Sequence, residues 1–409
     1  LFVNFKLKVI AAENKGLDTL KKFINELKGY KIQLEKPYLT DTLINEDLIQ
    51  EAYYRTANEI NASHIMIKLS PNPSAEDTLK AWRKISEIRN QLITDTKKFE
   101  NMAVKFSEDP SVKYNKGNLG FFGAFKMIYS FEEAAYTTPI GEISPIVRTR
   151  YGYHILKPNA IRKAKGKVKA SHIMIAVNPN NQGDNEIAKD KIKTIYNRLK
   201  NGESFNTLAQ QLSEDRKSAK KGGDLGWIES GGNVYKEFED AVFSLKNDND
   251  YSTPFKTPNG WHIVKRSEFK ALEDFEDLKY ELKNKIQKDI RSQKTISSFL
   301  EKLKKEYNYQ SKFSEKEILS IINNENFNSN TFKSNNKLKH KNELILSFAG
   351  NHYYYLDFIS YLKKMQLLDK CKSDISLIRN QFKKFTRREL LNFEKTQLSK
   401  KYPDFKALL

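Results

Sequence analysis

Of the six histidines in the 409-residue chain, four fall into two equally spaced pairs, His64 with His154 and His172 with His262. An imidazole titrates close to neutral pH, so it can move a proton or hold a hydrogen-bond network, although a lone histidine on a strand is ordinarily a satisfied core residue. Each pair has an acidic tripeptide lying between its members, Ser107-Glu108-Asp109 and Ser213-Glu214-Asp215. Asp109 and Asp215 each precede a loop, where a carboxylate either faces a substrate or simply caps the chain. Cys371 is the one cysteine, which excludes an internal disulfide and a thiolate metal cluster, and its helix-like surroundings mark a packed or surface thiol and not a catalytic one.

These residues sit in an internal repeat. Ala62-Ser63-His64-Ile65-Met66-Ile67 recurs as Ala170-Ser171-His172-Ile173-Met174-Ile175, 108 residues on. The acidic tripeptide, Leu119-Gly120 against Leu225-Gly226, Phe131-Glu132 against Phe238-Glu239, and Tyr151 to Ile155 against Asn259 to Ile263 follow in the same order at offsets of 106–108. Such a period is too long for a solenoid and suits a duplicated globular domain. Within each copy an alternating Ile-rich strand leads into a long amphipathic helix, a second short helix, a glycine turn, another short helix and two closing strands. Pro258-Asn259-Gly260 marks a hairpin. The expectation is an α+β fold with an antiparallel sheet flanked by helices.

Outside the repeats the pattern is helical. Leu20, Phe23, Ile24 and Leu27 lie on one helix face, 272–306 reads as one long charged helix, and 314–409 is mostly helical with a hairpin around Leu344 to Tyr355. The expected divisions are 1–61, a helical segment; 62–160 and 168–268, the two repeats; and 271–409, mainly helical. No run approaches the ~18 apolar residues a membrane span needs. The formal charge is +20, half of it carried by 271–409. That excess favours anionic partners in general. Nucleic acid is set aside, because the basic residues are mixed with acidic ones and no zinc spacing, helix-turn-helix signal or RNP-type motif is present.

The second repeat, with Ala170-Ser171-His172-Ile173, Ser213-Glu214-Asp215, Gly222-Gly223-Asp224-Leu225-Gly226-Trp227, Phe238-Glu239-Asp240-Ala241-Val242-Phe243 and Gly260-Trp261-His262-Ile263, resembles the parvulin (PpiC-type) peptidyl-prolyl isomerases along its whole length. The first is looser, with Lys116 and Asn118 in place of a glycine and an aspartate, which predicts an altered turn and ranks the second repeat as the better enzyme. The resemblance implies four strands and about four helices per repeat. It also implies site residues. In the second repeat, His172, Asp215, His262 and Thr257 would form the polar set, with Arg216 the alternative to Asp215 in a register open by one residue, and Leu225, Val234 and Phe238 would line a proline pocket. In the first, the matching set is His64, Asp109, Leu119, Met127, Phe131, Thr149 and His154. Rotation about an X-Pro bond faces a barrier of about 18–20 kcal/mol and makes or breaks no bond, so no metal or cofactor is expected.

Helical flanks around two such units look like the SurA-type periplasmic chaperones, and the terminal stretches resemble long two-parvulin members from Bacteroidota. The expected partners are unfolded or extended proline-containing polypeptides, and in addition outer-membrane assembly or secretion machinery. The expected place is the periplasm. The chain opens on Leu1 with neither an initiator Met nor a signal peptide, so further sequence is expected at both ends. The alternative function is a non-catalytic peptide-binding subunit of an outer-membrane or secretion machine.

Overall fold

A computed structural model describes residues 2–178, 181, 183–232, 234–323, 343–371 and 374–408. The chain divides into two compact units, Asp47–Arg291 and Leu1–Glu46 with Ser292–Leu409.

The Asp47–Arg291 unit holds both repeats, and each is a four-stranded antiparallel sheet. In the first, β1 (Asn58–Lys68), β2 (Asn118–Phe122), β3 (Val147–Thr149) and β4 (Gly152–Lys163) run in the order β2-β1-β4-β3. In the second, β5 (Lys167–Ala176), β6 (Asp224–Glu229), β7 (Phe255–Thr257) and β8 (Gly260–Lys270) run β6-β5-β8-β7. Four α-helices accompany each sheet: Ala75–Thr94, Phe99–Phe106, Val112–Asn115 and Tyr129–Thr137, then Asp184–Lys200, Phe205–Leu212, Arg216–Ala219 and Lys236–Ser244. The class is α+β, as the alternating and helical runs imply.

Side chains alternate across a strand, so each sheet separates two cores. One face of the first sheet sends Ile65, Ile67 and Ile155 against Ile85, Ile88 and Leu92 of the long helix. The other carries Ile60, Ala62, Phe122 and Leu156 against Phe131 and Ala135 of helix Tyr129–Thr137. His64 pairs with Leu156 and Met66 with His154, so the two histidines are diagonal neighbours on this second face. Register is the same in the second sheet, where His172 faces Val264 and Met174 faces His262.

Two glycines hold the turn into the second strand of each sheet. Gly117 and Gly223 have φ of +91° and +85°, and a Cβ would lie 2.8 Å from the His64 carbonyl and 2.3 Å from that of His172. The altered turn expected of the first repeat is absent: Lys116 takes φ +51° where Gly222 takes +67°. Asn118 Oδ1 also accepts from the Gly120 N–H at 2.8 Å, as Asp224 Oδ1 does from Gly226. The turn therefore gives no ground for ranking one repeat above the other.

A second correction concerns 272–306, which is two helices, Phe275–Lys288 and Ser292–Glu306. The break lies at Asp289–Arg291, where Asp289 Oδ1 accepts from both the backbone N–H and Nε of Arg291. The Arg291 side chain is fully buried on Glu132 instead of continuing a solvated face.

In the other unit, helices Phe2–Asn14 and Lys21–Glu35 leave Leu20, Phe23, Ile24 and Leu27 about half exposed. Its core gathers Ile318, Phe348, Phe358 and Phe385 from helices Glu315–Asn323, Tyr355–Lys364 and Ile375–Lys401 and from a small sheet of β9 (Gln310–Ser311), β10 (Leu344–Phe348) and β11 (Asn351–Tyr354). The hairpin at Leu344 to Tyr355 turns on Ala349 and Gly350, both with positive φ, as a two-residue loop matched to strand twist requires. Part of the helical expectation for 314–409 lies outside the described residues. Cys371 is buried in this core.

Candidate active site

The faces that carry Ile60, Ala62 and Leu156, and Val168, Ala170 and Val264, bring most of the named residues together. In the second repeat the His172 and His262 rings stack with centroids 5.6 Å apart. Phe238 meets both edge-on, at 5.9 and 5.6 Å. His172 Nε2 donates to Asp215 Oδ2 at 2.8 Å, since an ionised carboxylate can only accept. Thr257 Oγ1 lies 2.8 Å from His262 Nε2 and also accepts from the Asn259 N–H. Of the two residues left open in the sequence, Asp215 reaches His172 and Arg216 is exposed.

The first repeat repeats this geometry. The His64 and His154 rings stack at 5.8 Å, with Phe131 edge-on to both at 5.5 and 5.4 Å. Asp109 Oδ2 lies 2.9 Å from His64 Nε2, and Thr149 Oγ1 lies 2.7 Å from His154 Nε2. His64, Asp109, Leu119, Met127, Phe131, Thr149 and His154 all line one cleft of about 940 Å³.

Leu225 is half-buried against Phe238, but Val234 is 36% exposed and outside that apolar cluster. Its counterpart Met127 does pack, beside Leu119. Two residues of the second site were not foreseen. Phe255 stacks on His262 at 5.5 Å, and Ser218 donates to Asp215 Oδ2 at 2.5 Å while lying 3.1 Å from His172 Nε2. Both sit within the repeat, three or fewer residues from named positions, but neither has a motif to announce it.

Electrostatics follow from burial. Desolvation, then the neighbouring imidazole, pushes His262 down to about 3 and His154 to about 4. Burial also lowers His172, against the pull of Asp215. His64 and the Ser111 hydroxyl and N–H hold Asp109 well below the usual carboxylate range, against its burial. For Asp215 burial works upward but is outweighed by Ser218, His172 and the Lys217 N–H, leaving it lowered. Both carboxylates thus cap a local turn and face an imidazole, so capping and a substrate-facing role are compatible. At neutral pH the second site presents uncharged rings beside the anion of Asp215, and in the first the uncharged His154 ring lies in the same cleft as the anion of Asp109.

Stability should record this. The unfolded chain takes up protons near pH 6.5, whereas the buried rings do so only near 3–4. Their contribution is complete above about pH 6.5 and declines toward the folded values, by about 1.4 kcal/mol per pH unit for each ring. The lowered carboxylates add a further loss only below about pH 4. Urea midpoints are expected to be level from pH 8 to 7 and to drop between pH 6.5 and 5; level midpoints down to pH 5 would contradict buried neutral rings.

The family model for Rotamase, the PPIC-type PPIASE domain, matches residues 64–160 and again 172–268. Both repeats belong to the PPIC-type parvulin family. The chain is similar to Chaperone SurA of Methylococcus capsulatus, 30% identical over 238 residues, 58% of this chain and 51% of that one. Chaperone SurA of Thiobacillus denitrificans is 32% identical over 232 residues, 55% of this chain and 51% of its own length. The chain spans about half the length of these curated relatives. Among solved structures, the parvuline of Nitrosopumilus maritimus is 38% identical, covering 25% of this chain and 98% of its own, with a TM-score of 0.20. Among the described residues no group of histidines and carboxylates is arranged to hold a metal, and no helix is long and apolar enough to cross a membrane.

Proposed function

We propose that the chain is a peptidyl-prolyl cis-trans isomerase that also holds extended, proline-containing polypeptides as a chaperone of exported and outer-membrane proteins in the bacterial envelope. The observation that carries the isomerase reading is the 940 Å³ cleft, in which Leu119, Met127 and Phe131 offer an apolar seat beside Asp109 and the stacked imidazoles. The envelope and the exported clients rest on the similarity to SurA chaperones.

A proline ring in that seat is held by burial of its apolar surface. Twisting the amide ends its resonance and shifts charge between nitrogen and carbonyl oxygen. Groups fixed beside the bond can favour that redistribution over the planar ground state. The anion of Asp109 or Asp215 is held in place by its ring and turn partners, so little reorganisation accompanies the twist. The rings line the floor of the pocket, and His64 and His172 orient the carboxylates.

The test uses the full chain and a chromogenic X-Pro peptide. Asp109→Asn and Asp215→Asn are each expected to remove one site's share, and the double variant to lower turnover roughly 10²-fold, the scale set by removing one preorganised polar group. The division of activity between the single variants also decides which site dominates. A double variant as active as the parent would exclude these sites. Client holding that survives while isomerase activity is lost would mark the holding function as separable.

A further inference from the structure

The residue after each pocket phenylalanine is a glutamate that should be solvated on a short surface helix, yet both are buried. Glu132 is fully buried and Glu239 is 6% exposed. Each meets an arginine, Arg55 for Glu132 at 3.0 Å and Arg162 for Glu239. The pairs are copies of one another, since Arg55 and Arg162, like Glu132 and Glu239, stand 107 residues apart. A buried ion pair is an expensive way to hold a helix unless its geometry is well satisfied. Here it is: Glu132 also accepts two bonds from Arg291, at 3.0 and 3.3 Å, and one from the Phe125 N–H at 2.8 Å.

The origin of the arginines is the informative part. Arg162 lies on β4, the long strand of the first repeat, and its Nε also donates to Glu59 of β1 at 2.7 Å, while its guanidinium stacks 4.0 Å over Phe121 of β2. The helix it grips, Lys236–Ser244, belongs to the second repeat and carries Phe238. In the other direction, Arg291 follows the second repeat and grips the helix that carries Phe131. Two further links join the repeats: Ser230 donates to Glu59, and Lys126, beside Met127, pairs with Glu229.

We propose that Arg162 and Arg291 are positioning residues for the two proline pockets, so that each pocket is set from outside its own repeat. The first repeat fixes Phe238, and the segment after the second repeat fixes Phe131. This rests on the isomerase reading above. It goes beyond that reading in making the two sites interdependent.

The test is made in the full chain. With the first site silenced by Asp109→Asn, Arg162→Met is expected to reduce the second site's kcat/KM roughly 10- to 100-fold, mainly through KM, with helical content unchanged. Arg162→Lys, which keeps the charge but not the two-armed fork, recovers part of the loss and serves in its place if Arg162→Met fails to fold. Arg291→Met with Asp215→Asn does the same to the first site. An independent readout is the His262 ring NMR signal, which should shift in the Arg162 variants because Phe238 abuts that ring. An active chain whose second site ignores both Arg162 substitutions, with His262 unmoved, would overturn the positioning role and leave the isomerase reading intact. A parent chain without isomerase activity, but with His262 shifting as expected, would overturn the isomerase reading alone.

Discussion

Glu132→Ala is expected to lower folding stability by about 3–5 kcal/mol, the range for removing one partner of a buried ion pair. The substitution takes the shared buried carboxylate from two guanidiniums, leaving Arg55 with Glu51 and Arg291 with Asp289, in side chains 5% and 0% exposed. It also takes the acceptor from the Phe125 N–H, and Phe125 holds a left-handed φ of +63°, a conformation costly for a bulky side chain. The Arg291 guanidinium, 4.0 Å over the Phe125 ring, loses its two bonds to Glu132 at the same time. Urea unfolding measures the cost. Glu76→Ala provides the comparison: Glu76 bridges Lys80 on an open helix surface and should change stability by less than about 1 kcal/mol. Equal effects from the two would show that the buried pair adds nothing beyond a surface one.

Gly223→Ala is the second large effect. A β-carbon there would stand 2.3 Å from the His172 carbonyl oxygen, a backbone atom that cannot swing aside, at a φ of +85°. Strain of that conformation and forced separation of the turn from β5 should together cost roughly 2–4 kcal/mol. The His172 N–H, which donates to the Gly223 carbonyl at 2.8 Å, is disturbed as well, so the site suffers with the fold. Gly226→Ala supplies the contrast, because φ is +70° but nothing lies within 4 Å of the added carbon. Thermal melts of the two variants separate close approach from backbone preference. A Gly223→Ala protein no less stable than Gly226→Ala would show that the turn is free to move.

The duplicated sheets are legible in the sequence because they leave a local trace in alternating Ile residues, repeated short strings and glycines where a side chain cannot fit, whereas the meeting of the histidines and carboxylates is implied only by the resemblance to parvulins. Arg216 against Asp215 is not decided that way, since a shift of one residue alters no pattern; in the fold it is Asp215 that hydrogen-bonds His172. Phe255 lies on a three-residue strand, too short to show alternation. Val234 looked like a pocket wall by position, but its burial depends on how the loop before helix Lys236–Ser244 lies. The helix break at Asp289 was hidden for a different reason. Charged residues continue smoothly through it, and only the distant Glu132 makes burial of Arg291 favourable. The Arg–Glu pairs were present as a repeated spacing, yet charge alone argues for solvent, and only the fold reveals the partner.

The sealed Arg55–Glu132–Arg291 cluster has a consequence for how the protein meets electrolyte. Dissolved ions weaken attraction between charges only where they can come close, within a Debye length of about 8 Å in physiological salt. The cluster lies out of their reach, whereas the mutual repulsion of a surface with a formal net charge of +20 does not. Added salt therefore relaxes the outside of the molecule while the brace behind the first pocket keeps its full strength.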